Sequence, residues 1–290
     1  MQDLITRFRS RHDLHQSRMH ASAMKGIGWE TYGKPGEQIF LRRFGPLVTA
    51  KMQRPQKFDT DYLRQFRKTY KTLGFYLEPG LNSTITGSYK WLGFHIEPFA
   101  QSKTSLVDLS LAKEDLLKSF SQKTRYNINY ALKKNIVKIK SFPLNKISSQ
   151  ANDDFLSLRS DWSKRKQVIG YPEDFLRAIM TGYKDHGWLH LAYINKVAEA
   201  ALLVLENDRV ATYYCAFSSL AGYHHFAPTL LTWVSMLTAK EAGCDIYDFG
   251  GIYDPRYPKM YKKWLGFTKF KDGFHPTYVE YPPSHVQFFW

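Results

Sequence analysis

Three β-rich runs in quick succession, Trp188–Ile194, Val197–Leu205 and Arg209–Phe217, constrain this chain most. Only Asn195-Lys196 separates the first two, and only Glu206-Asn207-Asp208 the second two. Links this short join strands only as antiparallel hairpins, because a parallel crossover needs a dozen residues or more. Helical patterns precede the strands, around Asn152–Lys164 and Pro172–Asp185. A helix over Ala227–Ala242 follows, stopped by Gly243, and Asp245–Phe249 reads as one further strand.

Upstream, Ser105–Leu109 reads as a strand, and Ser110 is placed to cap a helix containing Leu116, Leu117 and Phe120. A second helix is expected over Thr124–Lys134. On it Lys123, Asn127, Tyr130 and Lys134 fall close to one face, while Ile128, Ala131 and Leu132 supply the buried seam. The first hundred residues carry weaker signals. Ile39–Phe44 reads as a strand before a Gly45-Pro46 break. Asp61–Leu73 carries Leu63, Phe66, Tyr70 and Leu73 at helical spacing and is closed by Gly74. Phe75–Leu77 is a strand, and Gly80–Gly93 is a loop.

The chain has 290 residues, enough for one large domain or two small ones, and its 43% apolar content excludes wholesale disorder. Lys and Arg number 41 against 26 Asp and Glu, a formal charge of +15. A folded chain this basic is expected to meet a polyanion: nucleic acid, a phosphorylated metabolite or an anionic membrane surface. Between Lys113 and Lys146 nine Lys or Arg face two acidic residues, so nearly half of the excess sits in that stretch. Two cysteines, Cys215 and Cys244, both in apolar stretches, exclude a disulfide scaffold or Cys-rich zinc site. The basic, polar N-terminus carries no secretory h-region, and no run approaches 18 apolar residues. The expectation is a soluble protein of a reducing compartment.

Several catalytic templates fail. No Walker loop occurs and no GxGxxG opens a helix. The adjacent His224-His225 has no acidic partner at ligand spacing, so a polar loop is the better reading. Neither cysteine stands in an electropositive motif, and Ser218-Ser219 lacks a GxSxG elbow.

Helix, helix, three antiparallel strands, helix, strand resembles the element order of a GNAT-type acyltransferase core. An acyl-CoA user of that fold needs a glycine-rich loop after the long third strand, whose N–H groups meet the pyrophosphate. Here the loop runs Ser218-Ser219-Leu220-Ala221-Gly222-Tyr223-His224-His225, with one glycine and several bulky residues. Coenzyme A is disfavoured, and another acyl donor is expected.

Leu14-His15-Gln16-Ser17, with Lys25 downstream, Arg43-Phe44-Gly45-Pro46, Lys123-Thr124-Arg125-Tyr126-Asn127-Ile128 with Ala131 and Lys133-Lys134, Tyr247-Asp248-Phe249-Gly250-Gly251-Ile252, and Gly266-Phe267-Thr268-Lys269-Phe270-Lys271-Asp272-Gly273-Phe274 occur in that order. Together they resemble the motifs of the FemABX family of peptidoglycan bridge-forming aminoacyltransferases: FxQS, RGP, KTRYNI…A…K, YDFxGI and GxTxFKxGF. The resemblance implies an α+β fold of two tandem GNAT-like subdomains with mixed, largely antiparallel sheets and a cleft between them. The first, over 1–104, is short and completed by 266–290; the second covers 105–265. No heptad run occurs between Asn152 and Gly187, so a compact member without a coiled-coil arm is expected. The family's glycine after KxGF is replaced by His275, and the acidic residue that often follows RGP by Thr49.

The resemblance also implies the reaction: transfer of an amino acid from aminoacyl-tRNA to an amine on the stem peptide of UDP-MurNAc-peptide or lipid II. Cofactors and metals are not needed, and no obligate protein partner is implied. A cytoplasmic place is expected, with peripheral contact at the anionic inner face of the plasma membrane. Such chemistry needs an oriented, neutral amine and positive charge at the developing oxyanion. Lys271, after a strand-like Thr268-Lys269-Phe270, is the candidate for that charge, with proton transfer assisted by the substrate. Arg125 is a candidate phosphate clamp, Tyr126 or Tyr130 a platform for sugar or uracil, and Asn127 shares their helix. Lys25 is a further phosphate candidate. Gly250 and Gly251 would let the acceptor backbone approach, beside Tyr214 and Phe274. Asp248 reads as a structural strand-end residue. Two rival readings are a GNAT-fold N-acyltransferase using an acyl-CoA or acyl-carrier donor, and a non-catalytic tRNA- or nucleic-acid-binding module.

Overall fold

Two mixed sheets, each covered by helices, organise the chain in the computed structural model, which describes residues 2–87, 94–96 and 100–288. The first hundred residues supply α1 (Gln2–Ser10), α2 (Arg18–Gly26), β1 (Glu30–Tyr32), β2 (Ile39–Phe44), β3 (Leu47–Gln53), β4 (Lys57–Asp59), α3 (Thr60–Tyr70), β5 (Gly74–Glu78), β6 (Thr84–Thr86) and β7 (Phe94–Ile96). Then follow β8 (Lys103–Asp108), α4 (Lys113–Ser119), α5 (Gln122–Lys134), β9 (Lys138–Pro143), α6 (Ser149–Lys166), α7 (Glu173–Gly182), β10 (Gly187–Ile194), β11 (Val197–Asn207) and β12 (Val210–Ser218). The chain ends with α8 (Leu220–His224), α9 (Ala227–Glu241), β13 (Ile246–Gly251), α10 (Pro258–Tyr261), α11 (Leu265–Asp272), β14 (Thr277–Glu280) and β15 (Ser284–Phe288).

The six-stranded sheet has the order β1-β2-β3-β5-β15-β7, antiparallel except for β3 and β5, so the C-terminal strand lies in the sheet begun by the N-terminal ones. Amphipathic α3 covers one face, burying Leu63 and Phe66 against Leu41, Ala50, Met52 and Phe75. Its start is capped by Asp59 Oδ1, which accepts from the Asp61 and Tyr62 N–H groups at 2.8 and 2.9 Å. Its end is Lys71 in the left-handed region (φ 49°), so Gly74 opens β5 instead of closing the helix. Of the expected Gly80–Gly93 loop, β6 occupies part and residues 88–93 lie outside the described residues.

The seven-stranded sheet runs β14-β8-β13-β12-β11-β10-β9, with only β12 and β13 parallel. The three β-rich runs form the expected antiparallel β10-β11-β12 meander. One face packs on α4, α5 and α9 through Leu116, Phe120, Ile128, Trp233 and Met236. The other packs on α2, α6 and α7 through Met24, Phe155, Leu176, Ile179 and Tyr183. Four local readings change. Ser110 does not cap α4, whose N-cap is Ala112; its hydroxyl turns back to Asp108 at 2.6 Å. The cap of α5 is Ser121, and the helix starts at Gln122, two residues before the expected Thr124. Leu132 is 53% exposed, leaving Ile128 and Ala131 as the seam. Thr268-Lys269-Phe270 belongs to α11, not to a strand. Among the described residues, no helix is long and apolar enough to cross a membrane.

The Leu14–Ser17 stretch ties the two halves together. Gln16 is fully buried, and its Nε2 donates to the carbonyls of Gln38 (3.1 Å) and Gln53 (2.6 Å), while its Oε1 accepts from the Gln38 N–H at 2.6 Å. Ser17 caps α2 by accepting from the His20 N–H at 3.0 Å, and its hydroxyl meets Tyr183 of the α7 end at 2.9 Å.

Candidate active site

Strands β12 and β13 pair only from Val210–Thr212 and Ile246–Asp248, although β12 continues to Ser218 and β13 to Gly251. Beyond that register they part. Two irregularities accompany the opening. Opposite β11, Leu203 faces Cys215 and Val204 faces Tyr213, so Tyr214 is an extra, bulged residue. Opposite β8, Asp248 faces Leu106 and Gly251 faces Thr104, and Gly250 takes φ +66°, a conformation that glycine adopts without a Cβ penalty.

Lys271 comes to this opening from α11. It is 6% exposed, donates through Nζ to the Gly251 carbonyl at 2.6 Å, and lies 5.4 Å from the Tyr213 ring centroid and 5.2 Å from that of Phe267. Burial pushes its ammonium down to about 7, against the attraction of the Asp248 carboxylate. Asp248, 5% exposed, accepts at Oδ1 from the Thr104 hydroxyl and from the Gly250 N–H (2.8 Å). Burial raises its carboxyl to about 6, opposed by those two hydrogen bonds. A buried lysine and a buried carboxylate that titrate close to neutrality are features of a reacting centre.

Gly250 and Gly251 line the same place, and a Cβ on Gly251 would strike the Trp264 ring. Tyr214 faces the opposite side of the sheet, stacked on Tyr171 (5.7 Å, 16°), which itself stacks on Phe175. Phe274 is 1% exposed and packed among Phe120, Phe249 and Phe270. Arg125, Tyr126, Asn127 and Tyr130 share α5. Arg125 Nη1 donates to the Lys118 carbonyl at 3.1 Å and to that of Phe120, which closes the end of α4. Tyr126 is 61% exposed and tilted on Tyr130 at 5.9 Å, and Tyr130 meets Phe226 edge-on. Lys25 lies elsewhere, lining a hollow of ≈ 320 Å³ with Arg18, Thr31 and Gln38. His275 adopts φ 46°, a left-handed conformation of the kind glycine takes without strain.

The loop after β12 is committed internally. Glu199 O accepts from the Ser219 N–H at 2.9 Å, Ser219 Oγ donates to the Glu199 carboxylate and accepts from the Gly222 N–H at 2.9 Å, and a Cβ on Gly222 would strike the Glu199 carbonyl. Two of the N–H groups that a pyrophosphate would need are thus taken, and a carboxylate stands beside them. The chain is therefore expected to pass over immobilised coenzyme A without retention; retention that free coenzyme A reverses would restore the acyl-CoA reading.

The FemAB family profile matches residues 85–199 and 195–284. The chain belongs to the FemAB family. The crystal structure of FemX shares its fold, with a TM-score of 0.76 over 99% of this chain and 96% of that one at 14% identity. L-PGS from Bacillus licheniformis superposes with a TM-score of 0.57 over 99% and 90% of the two chains at 12% identity. A tandem GNAT protein from the clavulanic acid biosynthesis pathway gives 0.53 over 89% and 81% at 8% identity. A search by sequence against curated proteins finds no match. This FemAB chain is thus an α+β protein with tandem GNAT-like neighbours, and its family supports a transferase of the peptidoglycan aminoacyltransferase type.

No single sequence cue pointed to Asp248 as more than structural, and Thr104 and Tyr213 carry no motif of their own. Thr104 reaches Asp248, and Asp248 and Tyr213 come near Lys271, only because β8, β12, β13 and α11 converge.

Proposed function

We propose that this FemAB protein moves an aminoacyl group from aminoacyl-tRNA to an amine on the stem peptide of a peptidoglycan precursor, UDP-MurNAc-peptide or lipid II. The observation that carries the proposal is the buried ammonium of Lys271 at the gap between β12 and β13. One of its N–H groups is given to Gly251 O; the other two can meet an oxyanion, in surroundings where charge is poorly screened. The amine lone pair forms the C–N bond, the ester C–O bond breaks, and the departing ribose oxygen takes the proton of the attacking nitrogen through the substrates themselves. The basic face of α5, with Arg125 and the Tyr126–Tyr130 pair, is assigned to the phosphates and to the sugar or base of the polyanionic substrates. Contact with an anionic inner membrane face would suit a lipid-linked acceptor. The committed Glu199–Ser219–Gly222 loop disfavours an acyl-CoA donor.

A lysine acts as a cation only below its pKa. Because the attacking amine must also be neutral, turnover is expected to rise with pH up to about 7 and to level off above it, where loss of the Lys271 proton offsets the growing neutral fraction of the amine. A pH profile of turnover under saturating substrates checks this; a rate that keeps rising about tenfold per pH unit through and beyond neutrality would remove Lys271 from the oxyanion role.

The reaction itself is tested by intact-mass analysis of UDP-MurNAc-pentapeptide, and separately of lipid II, after incubation with the protein and charged total tRNA. A gain of one amino-acid residue that RNase abolishes is the expected result. No gain with either acceptor while the tRNA stays charged would overturn the reading. Salt-sensitive RNA binding without turnover would then favour the binding-module alternative.

A further inference from the structure

A basic and apolar surface lies just outside the candidate site. Between Tyr253 and Asp272 the chain runs through α10, a 3-10 turn over Lys262–Trp264, and α11. Its inner side is held at several points. Asp254, fully buried, accepts from the Ser102 hydroxyl and from the Arg256 guanidinium at 2.7 Å. The Tyr261 hydroxyl accepts from the Ser102 N–H at 3.3 Å, and its ring packs on Trp264 at 4.4 Å between centroids. Trp264 covers Gly251, and Thr268 Oγ1 accepts from the Tyr253 N–H at 2.8 Å.

The outer side has no such commitments. Lys259, Lys262, Lys263 and Lys269 are exposed, and none has a side-chain partner among the described residues. No Asp or Glu occurs from Pro258 to Lys269, so these four charges stand uncompensated in their own segment. Among them Leu265 is 49% and Phe267 39% exposed, and a Cβ on Gly266 would meet nothing. Lys262, Leu265, Gly266 and Lys269 follow at i, i+3, i+4 and i+7, which gathers them on one side. Phe267 reaches from this outer side to the site, its ring centroid 5.2 Å from Lys271 Nζ.

Lysines around a protruding leucine and phenylalanine suit the headgroup layer of an anionic bilayer, which takes apolar side chains at the acyl boundary and ammonium groups at the phosphates. A nucleic acid would meet the lysines but offers nothing to Leu265, which has no π-face on which a base could stack. We propose that the outer side of the 258–269 segment is a bilayer-docking lip, with Leu265 and Phe267 inserted and Lys259, Lys262, Lys263 and Lys269 on the phosphates of anionic phospholipids. Lys271 lies on the inner side of the same helix, so the docked chain holds its reacting centre beside the headgroups, where a lipid-linked acceptor stands. That choice of lipid II over the soluble precursor rests on the function proposed above.

The test is flotation of the full chain with vesicles of phosphatidylcholine alone and of phosphatidylcholine with about one third phosphatidylglycerol. Binding to the anionic vesicles is expected to be about tenfold or more tighter than to the neutral ones, and to weaken as salt rises. Lys262→Glu with Lys263→Glu should lower it about tenfold or more, and Leu265→Ser several-fold, with thermal melts close to the parent because all three positions are exposed. Lys164→Glu with Lys166→Glu, an equal charge change at the exposed end of α6, should leave binding within about twofold. Insertion is read with a polarity-sensitive dye on Leu265→Cys, the one accessible thiol because Cys215 and Cys244 are 8% and 4% exposed. Its emission should shift to the blue on anionic vesicles. No preference for anionic vesicles, equal losses from the two lysine pairs, or a dye that stays in water would overturn the proposal. Loss of RNA binding in Lys262→Glu with Lys263→Glu while vesicle binding is kept would overturn it in favour of an RNA contact. Docking without any mass gain on lipid II would keep the lip and sink the transfer to that acceptor, whereas a mass gain on lipid II by a chain that does not dock would sink the lip alone.

Discussion

Lys271→Met is expected to lower turnover by about 10²–10³-fold, the usual effect of removing one donor to an oxyanion. Precursor binding should change by no more than about threefold, because the interaction is made in the transition state and not in the ground state. Loss of the fold would not explain the result. Methionine is similar in length and apolar, and the lysine it replaces is 6% exposed with its ammonium pushed down to about 7 by burial. Removing a charge that the interior disfavours offsets the orphaning of the Gly251 carbonyl, which costs about 1 kcal/mol. The variant should therefore melt close to the parent while being almost inactive. Single-turnover mass analysis with pre-charged tRNA, together with a thermal melt, separates the two effects. Turnover within a few-fold of the parent would end the role assigned to Lys271.

How far the sequence reaches differs by region, and the reasons are physical. The β10-β11-β12 meander could be read directly because its two connections are too short for any other topology. Helix α5 could be read because Ile128 and Ala131 stand at helical spacing on a basic background. Local cues failed where an end is decided by a neighbour. The α4 start is set by Ala112 because Ser110 finds a better partner in Asp108. The α3 end is set by a left-handed lysine that no rule would favour over Gly74. Thr268-Lys269-Phe270 alternates like a strand, yet it is helical in α11, whose Phe270 packs against Phe274 and whose Lys271 is drawn into the gap.

The candidate site was visible only as fragments. Gly250, Gly251 and Lys271 carry the family pattern and do meet. The remainder of the setting depends on contacts across the chain that no local window contains: Thr104 to Asp248 is a separation of 144 residues. Even the bulge that seats Tyr213 against Lys271 is a property of a strand pair, not of either strand.

Gln16→Leu should be strongly destabilising, because Gln16 is fully buried and satisfies two carbonyls and one N–H. A buried backbone group left unpaired costs roughly 1–3 kcal/mol, so three together cost about 3 kcal/mol or more, a large share of the 5–15 kcal/mol that holds a typical domain. Leucine has nearly the same volume, so packing loss contributes little. The loss should be seen as a lower denaturant midpoint. The damage should also be directional. Gln16 bonds to Gln38, just before β2, and to the end of β3, while Ser17 beside it bonds to Tyr183 at the end of α7, so the first sheet should loosen from the second before either sheet melts. Amide hydrogen exchange tests this: faster exchange is expected at residues 36–56 while the β10-β11-β12 meander keeps its protection. Uniform acceleration over both sheets would show instead that Gln16 supports one cooperative unit, and an unchanged midpoint would show that other donors replace it.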